Sequence, residues 1–266
     1  MSVLNRCVCL PLLGGLLLAG CGVTAGPEVP LPAIPALVVS AQGETLALGG
    51  RAEHWPADRV APLFRQPAAA SGGAQPIGKI GGDGVFEAVL AGPPQHFGDP
   101  EVALLPLPEY RASEGTTCSA DTVQVSVPEA RVGVSDGLYP GAPSGEASLR
   151  PQTSPVLPPS QLLWMTFEGS GADATTRLTQ LVYAEQDMEL SGQRRCTGTF
   201  FNPYGPGGGW TQVVSVRLAL KKGWNTVVQI RQGSSAGGDQ SVLSLVVQGR
   251  AAGETDRWTW NRGISF

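Results

Sequence analysis

Cysteine thiols are the most reactive side chains of this chain, and their positions limit the chemistry available to them. The chain contains five cysteines, at Cys7, Cys9, Cys21, Cys118 and Cys196. A thiol can be acylated, form a disulfide or bind a metal ion. The two histidines, His54 and His96, are distant from one another and from the cysteines, so the close spacing typical of zinc ligands is missing. Acylation and disulfide formation therefore remain.

Cys21 follows a segment with the layout of an export signal. Arg6 is followed by a largely apolar run over residues 8–19, which is shorter than the about 20 residues of a membrane-spanning helix. The run ends in small residues, as a secretory signal does. The tetrapeptide Leu18-Ala19-Gly20-Cys21 resembles the lipobox of bacterial lipoproteins. This resemblance implies that residues 1–20 are a signal peptide and that Cys21 becomes the lipidated first residue.

The resemblance also implies a location. Acyl chains such as palmitate anchor a protein stably when more than one is attached, because each buried methylene contributes about 0.8 kcal/mol. The expected partner is a membrane, and the expected place is the cell envelope, on its periplasmic or cell-surface side. Gly22 stands where an Asp would favour the inner membrane, so an outer location is allowed. An ordinary cleaved signal and an uncleaved anchor are the alternatives.

Loss of the signal would leave Cys118 and Cys196 as the only unmodified cysteines. Exported proteins meet an oxidising environment, in which such a pair is most simply a disulfide. In the chain-entropy treatment, a disulfide that closes a loop of this length stabilises the fold by about 4 kcal/mol. We therefore predict a Cys118–Cys196 disulfide, with two free thiols as the alternative.

One segment matches a catalytic motif. Gly133, Ser135 and Gly137 fit G-x-S-x-G, which presents a serine nucleophile between a strand and a helix. The residues that follow, 138–141, include a proline and a glycine and cannot start a regular helix, and both histidines precede the serine. The motif favours a Ser-Asp-Gly turn, while a serine paired with His54 or His96 in another order stays open.

Other polar patterns indicate no particular chemistry. The segment 205–209 lacks the Lys-Ser/Thr ending of a phosphate-binding loop. Asp83 and Glu87 lack the alternating oxygen ligands of a calcium loop. Glu168 and Glu185 resemble a glycosidase pair only if the fold brings them together. We predict no metal site, no cofactor and no catalytic residue.

The tryptophans offer a binding hypothesis. Trp258 and Trp260 lie two residues apart and share one face of a strand. If that face is exposed, the two indole rings would stack on sugar rings, together with Trp210 beside a glycine-rich loop. Packing in the core is the competing interpretation.

Composition indicates an exported β protein. The 36 glycines, 23 prolines and 15% charged residues favour short strands joined by turns. The net charge of -4 becomes -5 without the signal, and no basic cluster is present, so nucleic acid is not an expected partner.

Strand patterns recur along the mature chain, and no segment has a helical period. We predict strands at 45–52, 59–64, 77–80, 85–90, 122–127, 162–167, 178–184, 188–190, 197–201, 214–221, 224–230, 242–247 and 257–260. Strands 214–221 and 224–230 alternate in hydrophobicity and are joined by a tight turn, which predicts a hairpin. Residues 21–35 predict a proline-rich tether, and the proline-rich stretch 138–160 a long loop.

The apolar strand, Trp55-Pro56 corner and Asp83-Gly84 hairpin of residues 36–92 resemble carboxypeptidase-regulatory-like and transthyretin-like β-sandwiches. With the lipobox, segments 181–184 and 220–225 are similar to bacterial envelope lipoproteins. We expect an all-β protein of two Ig-like or transthyretin-like sandwich regions, 36–110 and 111–266. Its expected role is structural, adhesive or binding, with an envelope polysaccharide or another envelope protein as partner. A carbohydrate-binding protein or polysaccharide hydrolase is the alternative.

Overall fold

The computed structural model describes residues 29–39, 41–65, 76–105, 116–135, 137–141, 161–168, 174–200, 208–235, 240–252 and 257–261. These residues contain sixteen strands and one short helix, α1 (Pro100–Leu104), so the predicted all-β class is confirmed. The strands are β1 (Ala41–Gly43), β2 (Thr45–Glu53), β3 (Ala61–Phe64), β4 (Gly78–Ile80), β5 (Val85–Ala91), β6 (Thr117–Ser119), β7 (Gln124–Val125), β8 (Val132–Ser135), β9 (Gly137–Pro140), β10 (Gln161–Glu168), β11 (Thr175–Ala184), β12 (Met188–Phe200), β13 (Gly208–Leu220), β14 (Gly223–Ser235), β15 (Gln240–Gly249) and β16 (Arg257–Asn261).

Seven strands close on themselves as a small barrel, called the ring below. Strands β2, β5, β4, β3, β9 and β10 are neighbours in that order, and β16 closes the ring between β10 and β2. The β16–β2 pairing is parallel, and the other ladders of the ring are antiparallel. Alternating residues of β5, namely Phe86, Ala88 and Leu90, point inward and are almost fully buried. The period-two pattern of these strands is therefore the inner surface of the ring.

The remaining long strands continue the sheet from β10. Their order is β11, β14, β15, β13, β12, and the short β6 and β7 pair with β12 at the far edge. On the inner face of this extension, Val214, Val216 and Leu218 pack with Leu104 at the end of α1. The predicted alternation of β13 is confirmed on this face, because these valines and the leucine are buried.

The two predicted regions build one ring. Strands β2, β5, β4 and β3 come from 36–110, and strands β9, β10 and β16 come from 111–266. They share one core, because β3 pairs with β9 and β2 pairs with β16. The structure therefore confirms the all-β class but not the two-sandwich architecture. The predicted loop 138–160 begins inside β9, and residues 142–160 lie outside the described residues.

Two segments that we predicted as separate strands belong to a single strand. Segments 188–190 and 197–201 both belong to β12, which runs from Met188 to Phe200. Gly192 has a φ of 135°, and a Cβ there would lie 2.4 Å from the Thr122 carbonyl oxygen. Glycine allows this close approach without ending the strand.

The predicted hairpin between 214–221 and 224–230 does not form. The turn is present, but β13 pairs with β12 and β15, and β14 pairs with β11 and β15, so β15 lies between them. The Asn225 side chain bonds to backbone groups of the turn: its Oδ1 accepts from Lys221 N at 3.0 Å, and its Nδ2 donates to Lys221 O at 2.7 Å. Hydrogen bonds from Lys221 and from the Lys222 amide lower the pKa of Asp187 beside it.

Candidate functional site

The N-terminal segment is seated on the sheet rather than free. Residues 29–39, called the strap below, belong in part to the predicted tether 21–35. The Pro32 carbonyl oxygen accepts from Gln193 Nε2 at 2.6 Å and from Ser215 Oγ at 2.5 Å. The Val29 carbonyl accepts from the Arg195 guanidinium. Residues 29–35 of the predicted tether are therefore hydrogen-bonded to the sheet at Val29 and Pro32, while residues 21–28 lie outside the described residues.

The strap covers the face of β12 and β13 opposite to α1. Gln193 and Ser215 are cross-strand neighbours on this outer face, whereas Arg194, which points the other way, pairs with Glu101 of α1. Ser215 is fully buried, although it points to the side of β13 opposite to the apolar Val214 and Val216. The hydrogen bond to the Pro32 carbonyl compensates for the free-energy cost of burying the Ser215 hydroxyl.

Beyond Pro32 the chain enters the sheet. Val39 bridges to Ala219 of β13, and Ala41 of β1 lies opposite Asn225 of β14. The strap and β1 therefore continue the line of β15 between the two strands that flank it. A Cβ on Gly249 would lie 2.1 Å from the Val38 carbonyl oxygen, so glycine is required where the strap meets the end of β15.

An electrostatic contact holds the junction between β1 and β2. The Tyr183 hydroxyl donates to the Glu44 carboxylate. This hydrogen bond, with burial of the ring, raises the pKa of Tyr183 to about 12. Trp224 packs edge-on against Tyr183, with ring centroids 5.4 Å apart. These contacts join β11 and β14 to the junction, and nothing in the sequence spacing indicated that these groups meet.

The predicted disulfide is present. Cys118 and Cys196 are direct partners in the β6–β12 ladder, and their sulfurs are 2.06 Å apart. Cys196 is fully buried, while Cys118 lies in an exposed strand. The bond fastens β6 to the edge of the sheet. Cys21, the predicted lipidation site, lies outside the described residues.

The predicted sugar-stacking tryptophans are buried. Trp210, Trp258 and Trp260 have 2%, 6% and 8% of their surface exposed. Trp258 stacks on Trp164, with ring centroids 5.3 Å apart and 17° between the rings. The indole of Trp210 lies against Gly198, where even a Cβ would come within 2.7 Å of the ring. These three side chains are not a stacking platform, because the inner face of the sheet takes them into the core.

Two arginines lie over the aromatic cluster of the ring. The Arg250 guanidinium is 4.2 Å from the centroid of Trp164. The Arg59 guanidinium is 5.1 Å from Trp55 and 5.6 Å from Trp260. These cation–π contacts stabilise the indoles, and sequence reasoning missed those to Trp164 and Trp260 because their partners are far apart in the chain.

The remaining predicted positions have structural roles where they are described. Ser135 is buried, and its hydroxyl donates to the Gly137 carbonyl at 2.9 Å, which fits the predicted turn. Asp83 Oδ1 accepts from the Val85 amide at 3.0 Å. His54 and His96 are exposed. Within the described ranges no three His, Cys, Asp or Glu side chains form a group that could hold a metal ion.

Searches against protein-family models, curated proteins and solved structures find no match. The resemblances noted in the sequence therefore stay predictions. In the part of the chain that the structure describes, no helix has the length and apolar character needed to cross a bilayer.

Proposed function

We propose that this chain is an exported lipoprotein, anchored in the cell envelope through an acylated Cys21, with a structural, adhesive or binding role. The observation that carries the proposal is the tetrapeptide Leu18-Ala19-Gly20-Cys21 after a short apolar run. The Cys118–Cys196 disulfide supports it, because such bonds persist in oxidising compartments.

The contacts of the strap agree with an N-terminal anchor. An anchor at Cys21 would act on the folded body through this segment. Here hydrogen bonds to Pro32 and Val29 are followed by pairing of Ala41 and Gly43 with β14. From residue 29 onward, the described part of the segment is therefore joined to the sheet by hydrogen bonds.

A binding or structural role agrees with the chemistry of the described residues. The Ser135 hydroxyl and the Asp83 carboxylate make turn hydrogen bonds, and Trp258 and Trp260 belong to the core of the ring. We propose a partner within the envelope, either a polysaccharide or another envelope protein. Incubating the detergent-purified protein with solubilised envelope and with a glycan array tests this; retention of neither class would contradict a binding role.

The anchor is tested with two cysteine variants of the full chain. Expressed in a bacterium that processes lipoproteins, the parent and Cys9→Ala should incorporate labelled palmitate and enter the detergent phase on phase separation. Cys21→Ala should do neither, because it lacks the thiol that is acylated. Labelling of Cys21→Ala equal to that of the parent would refute the proposal. Cys9→Ala is the matched control, since it removes a thiol from the same segment.

A further inference from the structure

The strap exposes an apolar stripe. Residues 29–39 consist only of Val, Pro, Leu, Ala and Ile, so no side chain in this segment is charged or forms hydrogen bonds. Ile34, Leu37 and Val39 expose 49%, 43% and 54% of their surface. They are three of the seven large hydrophobic residues that are exposed among the described residues, and they fall within six consecutive positions. Such a concentration of exposed apolar side chains indicates an interaction surface.

The stripe cannot turn inward. The opposite side of the strap is fixed by the Gln193 and Ser215 hydrogen bonds to Pro32 and by the bridge between Val39 and Ala219. The prolines at 30, 32 and 35 restrict the backbone further. The sheet therefore presents Ile34, Leu37 and Val39 outward on the face opposite to α1.

Chain length places this face near the acylated cysteine. Val29 follows Cys21 by eight residues, which span at most about 29 Å when fully extended. The polar headgroup zone adds about 5–8 Å on each side of the hydrocarbon. An acylated Cys21 would hold the strap at a high effective concentration relative to the lipid surface, which favours even a weak apolar contact.

We propose that the strap is a membrane-contact surface, with Ile34, Leu37 and Val39 in the interfacial zone of the bilayer that holds the acyl chains. This inference rests on the proposed lipid anchor. A lipid surface fits the stripe because the contact is apolar and carries no charge. A second copy of the chain fits less well, since three half-exposed aliphatic side chains fall short of the about 800 Å² per partner that stable interfaces bury. The outer face of β12 and β13 then lies toward the bilayer, and α1 lies away from it.

The test places a polarity-sensitive fluorophore on the strap of the lipidated protein. Leu37→Cys and the control Val102→Cys both replace exposed residues; Val102 is 72% exposed on α1, on the opposite side of the sheet. With Cys21 acylated and Cys118 bonded to Cys196, the added cysteine is the free thiol that takes the label. In zwitterionic vesicles, the label at position 37 should shift its emission to shorter wavelength and lose intensity to a quencher carried on the lipid chains. The label at position 102 should do neither.

Each outcome decides the question. Equal quenching at both positions, or quenching at neither, overturns the membrane contact. A blue shift without lipid quenching, together with cross-linking of Leu37→Cys copies, overturns it in favour of a second copy. Adding Ile34→Asp to Leu37→Cys should reduce quenching, while an unchanged thermal unfolding curve shows that the body remains folded. The mass of the N-terminal peptide separates the two proposals: an unmodified Cys21 removes both, whereas an acylated Cys21 with a label that remains in water removes only the strap contact.

Discussion

The disulfide gives the sharpest stability prediction. Cys118→Ser removes the cross-link at the exposed partner and leaves the buried Cys196 in place. The bond joins residues that are 78 positions apart in the sequence. For a loop of this length, the chain-entropy treatment gives about 4 kcal/mol of unfolding free energy at 25 °C. At about 2–4 °C per kcal/mol for a protein of 150–250 residues, the melting temperature should fall by roughly 8–16 °C.

The assay is equilibrium unfolding in guanidinium chloride, with thermal unfolding beside it. The m-value should rise in the variant, because an unfolded chain without the cross-link exposes more surface. The parent treated with a reductant is the matched control and should reproduce the variant. A loss below about 1 kcal/mol, with the bond shown to be intact in the parent, would refute the reasoning that β6 is fastened through this bond.

Further predictions concern the ring, the junction and the strap. Trp258→Ala should cost about 3–5 kcal/mol in unfolding free energy, because it leaves a cavity beside Trp164; a cost below 1 kcal/mol in denaturant unfolding would contradict its place in the core. Absorbance titration should find Tyr183 ionising near pH 12, against about 10 in the unfolded chain, and Glu44→Gln should lower that pKa. Because the raised pKa belongs to the folded state, the stability from this contact is fully present below pH 10 and is lost between pH 10 and 12; a Tyr183 pKa unchanged by Glu44→Gln would contradict the contact. Ser215→Ala removes a hydrogen bond to Pro32 and should lower the free energy that holds the strap on the sheet by about 1 kcal/mol. Proteolytic cleavage within residues 29–39 should then be faster, and an unchanged cleavage rate would contradict the contact.

Local sequence patterns predicted where the strands lie better than they predicted which strands pair. Strands such as β2, β5 and β10 were expected within two residues of their bounds, since alternation is a local property. Pairing depends on residues far apart in sequence. The turn after Leu220 signalled a hairpin, and the Asn225 side chain does bond to the backbone of that turn, yet β15 pairs with both β13 and β14 and so lies between them.

The contacts of the strap could not be predicted from the sequence, for a physical reason. Prolines lack an amide hydrogen and suggest a free tether, but the Pro32 carbonyl still accepts from Gln193 and Ser215. Similarly, the spacing of Trp258 and Trp260 correctly places both indoles on one face of β16. Whether that face points inward depends on closure of the ring, which involves strands from both halves of the chain.

The most direct test of the anchored-protein account is the mass of the N-terminal peptide of the native protein, purified from bacterial envelopes. The account predicts a peptide that begins at Cys21 and carries the added mass of a diacylglycerol and its acyl chains. A peptide that begins at Met1, or one that begins at residue 21 with a bare thiol, would contradict the account.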